Sequence, residues 1–377
     1  MDLNALVLCT DDKIMRVLRR VLSDLEVGIE TCTDADSAVR RLTRTRFEAV
    51  VVDCADEDLA AKVLSSVRSA PCNKRAIAVA MIDGQKAVRS AFALGAHFVL
   101  YKPISFERAR SSFRAARALM KCERRRNVRV PSELPVTLIA GADEQRIITT
   151  DISEGGMAVR IPRPVPKSRG VRIKFILPGV DYVVNCPAEV AWKNPGSNTG
   201  VRFLELSREQ RQQLKTWLAS HSPEIEPEDP PISCKLTDVS AAACYLEMGS
   251  PFPARTRVVL TMKTGEVHLS VDGVVRLMHP EVGMGIEFAR DTDEQRAQAE
   301  KFVHTMKAGA TSVEFTVLPE GMDDEDASAA AEPQSGSGDP LLNLFRRSAE
   351  FTSETFRDEL RTQRRAGQGG HATSVGA

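Results

Sequence analysis

The strongest constraint on the fold lies in residues 1–122, where short apolar runs alternate with stretches of helical spacing. Ala5-Leu6-Val7-Leu8, Ala49-Val50-Val51-Val52, residues 76–82 and Phe98-Val99-Leu100 are continuously apolar. A strand that is apolar at every position is buried on both faces, as in a parallel sheet covered by helices on each side. Between the runs, Ile14, Val17, Leu18, Val21, Leu22 and Leu25 recur with the spacing of one helix face. Further helices are expected through Leu42, with Asp36 as its cap, and over residues 59–67, 85–94 and 106–123. Residues 28–32 supply a fifth strand. The pattern predicts a doubly wound α/β domain with five parallel strands, its chemistry at their carboxyl ends.

Charged groups stand at those ends. Asp11 and Asp12 follow the first strand, Asp53 ends the third, and Lys102-Pro103 follows the fifth. Converging carboxylates repel one another, so such a site wants a divalent cation with oxygen ligands. With Leu94-Gly95-Ala96 and Tyr101-Lys102-Pro103, the pattern resembles the receiver domain of two-component response regulators over nearly all of residues 1–122. The resemblance implies that Asp53 is the phosphoacceptor, that Asp11, Asp12 and Asp53 hold Mg2+, and that Lys102 contacts the phosphate. It also implies a cis Lys102–Pro103 bond and a sensor histidine kinase as partner. Two positions depart from the family pattern: Ala80 stands where a Thr or Ser is usual, and Val99 where an aromatic residue is usual. Phosphorylation without its usual conformational readout is one expectation, and a relic site is the other.

The next stretch opens with Glu123-Arg124-Arg125-Arg126-Asn127-Val128-Arg129, an R-x-x-x-R spacing at Arg125 and Arg129. Some twenty residues on comes Asp151-Ile152-Ser153-Glu154-Gly155-Gly156, a D-x-S-x-x-G turn. Arginine offers a planar fork to a phosphate or a guanine edge, and glycine admits close backbone approach. Aspartate in a turn accepts from amide or base N–H groups. The two motifs in this order, followed by strands, resemble the PilZ domain, a small β-barrel that binds cyclic di-GMP. The resemblance implies that Arg125 and Arg129 grip guanine and phosphate, with Arg124 as an additional basic contact. Asp151, Ser153 and Gly156 would line the other side. Strands are expected over 136–140, 146–151, 157–161, 171–177, 182–192 and 200–206, then a helix burying Leu214, Trp217 and Leu218. Trp192 is expected in the core. The helix from Phe106 buries Phe113, Ala116, Leu119 and Met120 and runs into Arg124 without a flexible linker, a route by which receiver and arginines would be coupled.

The chain thus divides into a receiver-like domain (1–122), a PilZ domain with binding-competent motifs (123–221), an acidic, proline-rich linker (222–231), a degenerate PilZ-like barrel (232–309) and a mostly disordered tail (310–377). In the second barrel Asp238-Val239-Ser240-Ala241-Ala242-Ala243 echoes the first barrel's turn, and Gly285-Ile286-Glu287-Phe288 echoes Gly200-Val201-Arg202-Phe203. Ala243 replaces the motif glycine and no R-x-x-x-R precedes it, so this barrel is expected to serve packing or partner contacts. In the tail, residues 341–361 are expected to form only a transient helix, and His371 no metal site.

Composition bounds the function. The 51 basic and 51 acidic residues cancel, which with few aromatics argues against a nucleic-acid partner. The eight cysteines form no C-x-x-C pair and read as core residues of a reducing cytosol. No signal peptide or membrane span is expected, so the chain reads as soluble and cytoplasmic. No Ser/His/Asp or Cys/His constellation and no P-loop points to an enzyme. The leading reading is a bacterial effector that binds cyclic di-GMP and acts by ligand-induced rearrangement or contact with an unidentified downstream protein. The alternative is a phosphorylation-driven response regulator whose barrels are protein-docking scaffolds.

Overall fold

The structure is a computed structural model that describes residues 3–161, 170–180, 182–194, 198–204, 206–222, 225, 227–264, 267–307, 313–323, 338–350 and 353–369. These fall into two compact units, residues 123–228 and residues 2–122 together with 229 onward. Part of the 222–231 linker (223, 224 and 226) and His371 lie outside the described residues.

The larger unit begins with the predicted α/β layer. Strands β1 (Leu3–Leu8), β2 (Val27–Cys32), β3 (Ala49–Asp53), β4 (Ile77–Ile82) and β5 (Phe98–Tyr101) pair in parallel in the order β2-β1-β3-β4-β5. Every residue of β4 is buried, as a central strand covered on both faces requires. Helices α1 (Asp12–Asp24), α2 (Ala35–Leu42), α3 (Glu57–Ser69), α4 (Val88–Ala93) and α5 (Phe106–Asn127) alternate with them. Asp11 caps α1 by accepting from the amides of Lys13 and Ile14. The cap of α2 is Asp34 rather than Asp36, which sits in the first turn and pairs with Lys62 at 2.6 Å. The α5 stripe of Phe113, Ala116, Leu119 and Met120 is buried.

The smaller unit is an antiparallel barrel. Strands β6 (Val130–Pro131), β7 (Pro135–Ala140), β8 (Asp143–Ser153), β9 (Gly156–Arg160), β10 (Val171–Ile176), β11 (Val183–Lys193) and β12 (Asn198–Phe203) run β6-β8-β7-β10-β11-β12-β9, and a β8–β9 pairing closes the ring. In β10 the odd-numbered residues are buried and the even ones exposed, the period of a sheet with one wet face. Helix α6 (Arg208–His221), opened by a Ser207–Gln210 capping box, buries Leu214, Trp217 and Leu218 against the barrel.

The second barrel belongs to the larger unit. Strands β13 (Ile232–Val239), β14 (Ala243–Glu247), β15 (Thr256–Thr264), β16 (Val267–His279), β17 (Gly283–Phe288) and β18 (Glu314–Met322) close in the order β13-β14-β17-β16-β15-β18, with helix α7 (Asp293–Lys307) before the last strand. Matching the two motif turns aligns β13 with β8 and β14 with β9. The strand between β13 and β15 then occupies the place of β7, yet it comes last in the chain instead of first. The second barrel is a circular permutant of the first, which corrects the expectation that it ends at 309. Its core is continuous with that of the α/β layer through Phe113, Leu119, Leu246, Phe252 and Phe302. Cys122 Sγ bonds the carbonyl of Pro319 at 3.2 Å, and Ser111 meets Ser250 at 2.6 Å.

The tail, expected to be mostly disordered, is ordered in part. Helices α8 (Pro340–Arg346) and α9 (Ser353–Gly369) are formed, and Leu341, Leu342, Leu344, Phe345, Phe356 and Leu360 are buried in one cluster with Ala242, Ala243, Tyr245 and Leu277 of the barrel.

Candidate ligand-binding site

The two motif halves of the first barrel meet. Arg129 donates from Nη1 to Asp151 Oδ1 at 2.6 Å across 22 residues of sequence, and both side chains remain partly exposed. Pairing of Val130 with Ile152 and of Pro131 with Asp151 brings the arginine segment alongside the turn. Ser153 is buried, and its hydroxyl donates to the carbonyl of Gly156 at 3.0 Å, so it builds the turn. Gly156 lies against β12: a Cβ there would sit 2.2 Å from the carbonyl oxygen of Val201. Backbone cannot give way as a flexible side chain can. Gly156→Val is therefore expected to disrupt the β9–β12 pairing and cost about 2 kcal/mol or more, read as a lowered urea midpoint.

Arg125 has a different setting. Its side chain is 7% exposed, with Nε 3.2 Å from Glu154 and Nη2 3.2 Å from Glu228. Glu228 is shared with Lys215 at 2.9 Å. Arg124 is half-buried, and its Nη1 has no hydrogen-bond partner among the described residues. Sequence reasoning missed Glu154, Glu228 and Lys215. Glu154 stands inside the turn motif itself, and its charge opposite the R-x-x-x-R arginines was the available signal.

Trp192 is 37% exposed rather than in the core, and lies over Gly200, where a Cβ would come within 2.2 Å of its indole nitrogen. A β-bulge between Val190 and Trp192 shifts the register of β11 on β12, so the inward alternation is lost there.

Residues 123–220 match the family model of the PilZ domain. This barrel is a PilZ domain. Similar solved structures include the PilZ domain of CeSA from a cellulose-synthesizing bacterium, 21% identical, covering 26% of this chain and 100% of that one at a TM-score of 0.22. The receiver domain of a Pseudomonas aeruginosa sensor histidine kinase, solved with magnesium in its active-site cleft, is 18% identical and covers 32% of this chain and 98% of that one at 0.28. A Vibrio cholerae chemotaxis response regulator is also 18% identical, covering 31% and 99% at 0.29. No curated protein sequence matches the chain. The α/β layer is receiver-like in its strand order, β2-β1-β3-β4-β5.

The strand ends of that layer gather only some of the expected groups. Lys102 donates to Asp53 at 2.5 Å and reaches Asp83 at 3.4 Å, a carboxylate sequence reading did not single out. Burial alone would lower the Lys102 pKa, but the hydrogen bond and charge of Asp53 raise it overall. The Lys102–Pro103 bond is cis. Among the described residues no three or more acidic, His or Cys side chains are gathered closely enough to hold a metal ion. β1 ends at Leu8, so Cys9 and Thr10 follow the strand directly. The Cys9 thiol lies 3.9 Å from Asp53 Oδ2, while Asp11 caps α1 and has its pKa lowered by the Ile14 and Lys13 amides. Burial, then the Asp53 charge, pushes the Cys54 thiol up to about 11. Ala80 and Val99 pair across β4 and β5 and are buried in an apolar cluster, so no hydroxyl faces Asp53 from the fourth strand at that position. No helix among the described residues is long and apolar enough to cross a membrane.

Proposed function

We propose that the PilZ barrel binds cyclic di-GMP between Arg124, Arg125 and Arg129 on one side and Asp151, Ser153 and Gly156 on the other. The chain would then be a signalling effector in the cytoplasm. The Arg129–Asp151 contact carries the reading, because it joins the two motif halves in one place. Arg129 and Asp151 are open to a planar ligand with anionic phosphates and a guanine edge. Ser153 and Gly156 act by shaping the turn. Calorimetric titration of cyclic di-GMP into the folded chain tests it: micromolar or tighter binding supports the reading, and no binding by a chain with an intact barrel overturns it.

In this reading the ligand competes with carboxylates for Arg125. Glu228 accepts from both Arg125 and Lys215 and occupies the position of an anion. Glu228→Gln removes that charge without removing bulk. It is expected to raise cyclic di-GMP affinity by roughly three- to tenfold, the scale of one partly exposed ion pair. The same titration measures it.

The Lys102–Asp53 contact favours a second reading, in which Asp53 receives a phosphoryl group from a sensor histidine kinase. Phosphorylation by acetyl phosphate, lost in Asp53→Asn, together with absence of nucleotide binding would make it the first. In that reading Asp11, Asp12 and Asp53 would supply the oxygen ligands of Mg2+ beside the phosphoryl group.

A further inference from the structure

The second barrel keeps the turn of the first but covers it with its own tail. Ser240 Oγ bonds the carbonyl of Ala243 at 3.1 Å, as Ser153 does with Gly156, and Phe288 N–H donates to Ala242 as Phe203 N–H donates to Gly155. Where the PilZ barrel presents this turn to a ligand, the second barrel presents it to α8. Asp339 caps that helix through the amides of Leu341 and Leu342, and its other oxygen accepts from the amide of Ala242 at 3.2 Å. Phe345 lies over Gly285, where a Cβ would sit 2.5 Å from its ring. Gly285 corresponds to Gly200, which Trp192 covers in the first barrel. Phe356 packs beside Tyr245 and His279, with ring centroids at 5.4 and 4.6 Å.

We propose that this face is a docking site for an amphipathic helical peptide, and that residues 339–361 are its detachable occupant in cis. Three observations carry this. The ring of strands is closed by β13–β18 pairing without the tail. The residues under α8 and α9 form a cluster separate from the main core. The sequence of residues 323–338 contains no large apolar side chain. The recognised pattern is Asp-Pro-Leu-Leu-x-Leu-Phe: a carboxylate that both starts the helix and bonds the turn, then leucines, then a ring on glycine.

The test uses a chain ending at Asp323, its fold checked by circular dichroism, and a fluorescent peptide of residues 338–362. Saturable micromolar binding is expected, lost with Phe345→Ala in the peptide. The full chain should bind the peptide roughly a hundredfold more weakly, because a tethered occupant has an effective concentration on the order of millimolar. Absence of binding to the folded shortened chain overturns the proposal, as does equal binding by the full chain. Should the shortened chain not fold, the full chain is cut at a protease site placed within 324–337. Exchange of the cut tail for labelled peptide supports a docking site. A cut tail that never exchanges under native conditions is part of the core and overturns it.

Discussion

Arg129→Ala and Arg125→Ala are both expected to weaken cyclic di-GMP binding and to differ sharply in stability. Arg129 is 45% exposed and its partner Asp151 is 26% exposed. Removing it takes away a charge-assisted fork worth about 1–3 kcal/mol to the ligand, hence a fall in affinity of about ten- to a hundredfold. An exposed pair contributes about 0–1 kcal/mol to folding, so the barrel should unfold almost where the wild type does. Arg125 is buried against Glu154, itself 10% exposed. Truncating it removes the arginine from a buried carboxylate, at a cost of about 3–5 kcal/mol, a large share of the 5–15 kcal/mol typical of a domain. The two tryptophans, Trp192 and Trp217, both lie in the PilZ unit, so urea titration by tryptophan fluorescence reports on that barrel alone. Similar midpoints for both variants would count against the buried pair. Unchanged affinity in Arg129→Ala would place the ligand elsewhere.

Acidification should loosen the tail through His279. Burial, then the nearby Arg357 charge, lowers its pKa from 6.5 to about 4. The ring accepts or donates at Nδ1 with the Tyr245 hydroxyl at 3.1 Å and lies tilted against Phe356. With the tail detached or the barrel unfolded, the imidazole regains an ordinary pKa and binds protons that the docked state refuses. The docked state is therefore fully favoured above about pH 6.5, loses ground as pH falls toward 4, and changes no further below that. The total is about 3 kcal/mol. Hydrogen exchange of residues 340–346 and 283–288 at pH 7.5 and 4.5 measures it, with His279→Gln as the comparison. The acid-induced loss of protection should shrink in the variant. An equal loss in both would assign the effect to carboxylates.

The elements legible in the sequence were those set by local period and motif. Continuous apolar runs gave β1, β3, β4 and β5, and the paired motifs placed Arg129 beside Asp151. What escaped depends on distant parts of the chain meeting. The burial of Arg125 follows from Glu154 and Glu228, whose proximity no spacing rule reports. The capping role of Asp11 also escaped: it was read as a strand-end group, but β1 stops at Leu8 and Asp11 accepts from the first amides of α1. Strand β18 alternates buried with half-buried residues, yet it follows a helix that seemed to end the repeat. The tail helices were read as transient because isolated short helices are marginal, whereas packing on the barrel supplies the missing stability.

The permuted order of the second barrel has a consequence for its synthesis. Its ring is completed by the strand made last, at residues 314–322, so as the chain emerges from the ribosome β13 and β15 each wait with an unpaired edge. The PilZ barrel has a shorter interval, because its corresponding strand is made first and the closing strand β12 follows directly on its partner β11. Exposed edges recruit other strands, and nascent chains on neighbouring ribosomes carry the same pair. A stop codon before residue 314 would leave that interval permanent, and such fragments are expected in inclusion bodies, while a chain ended after Met322 has already met its own last strand.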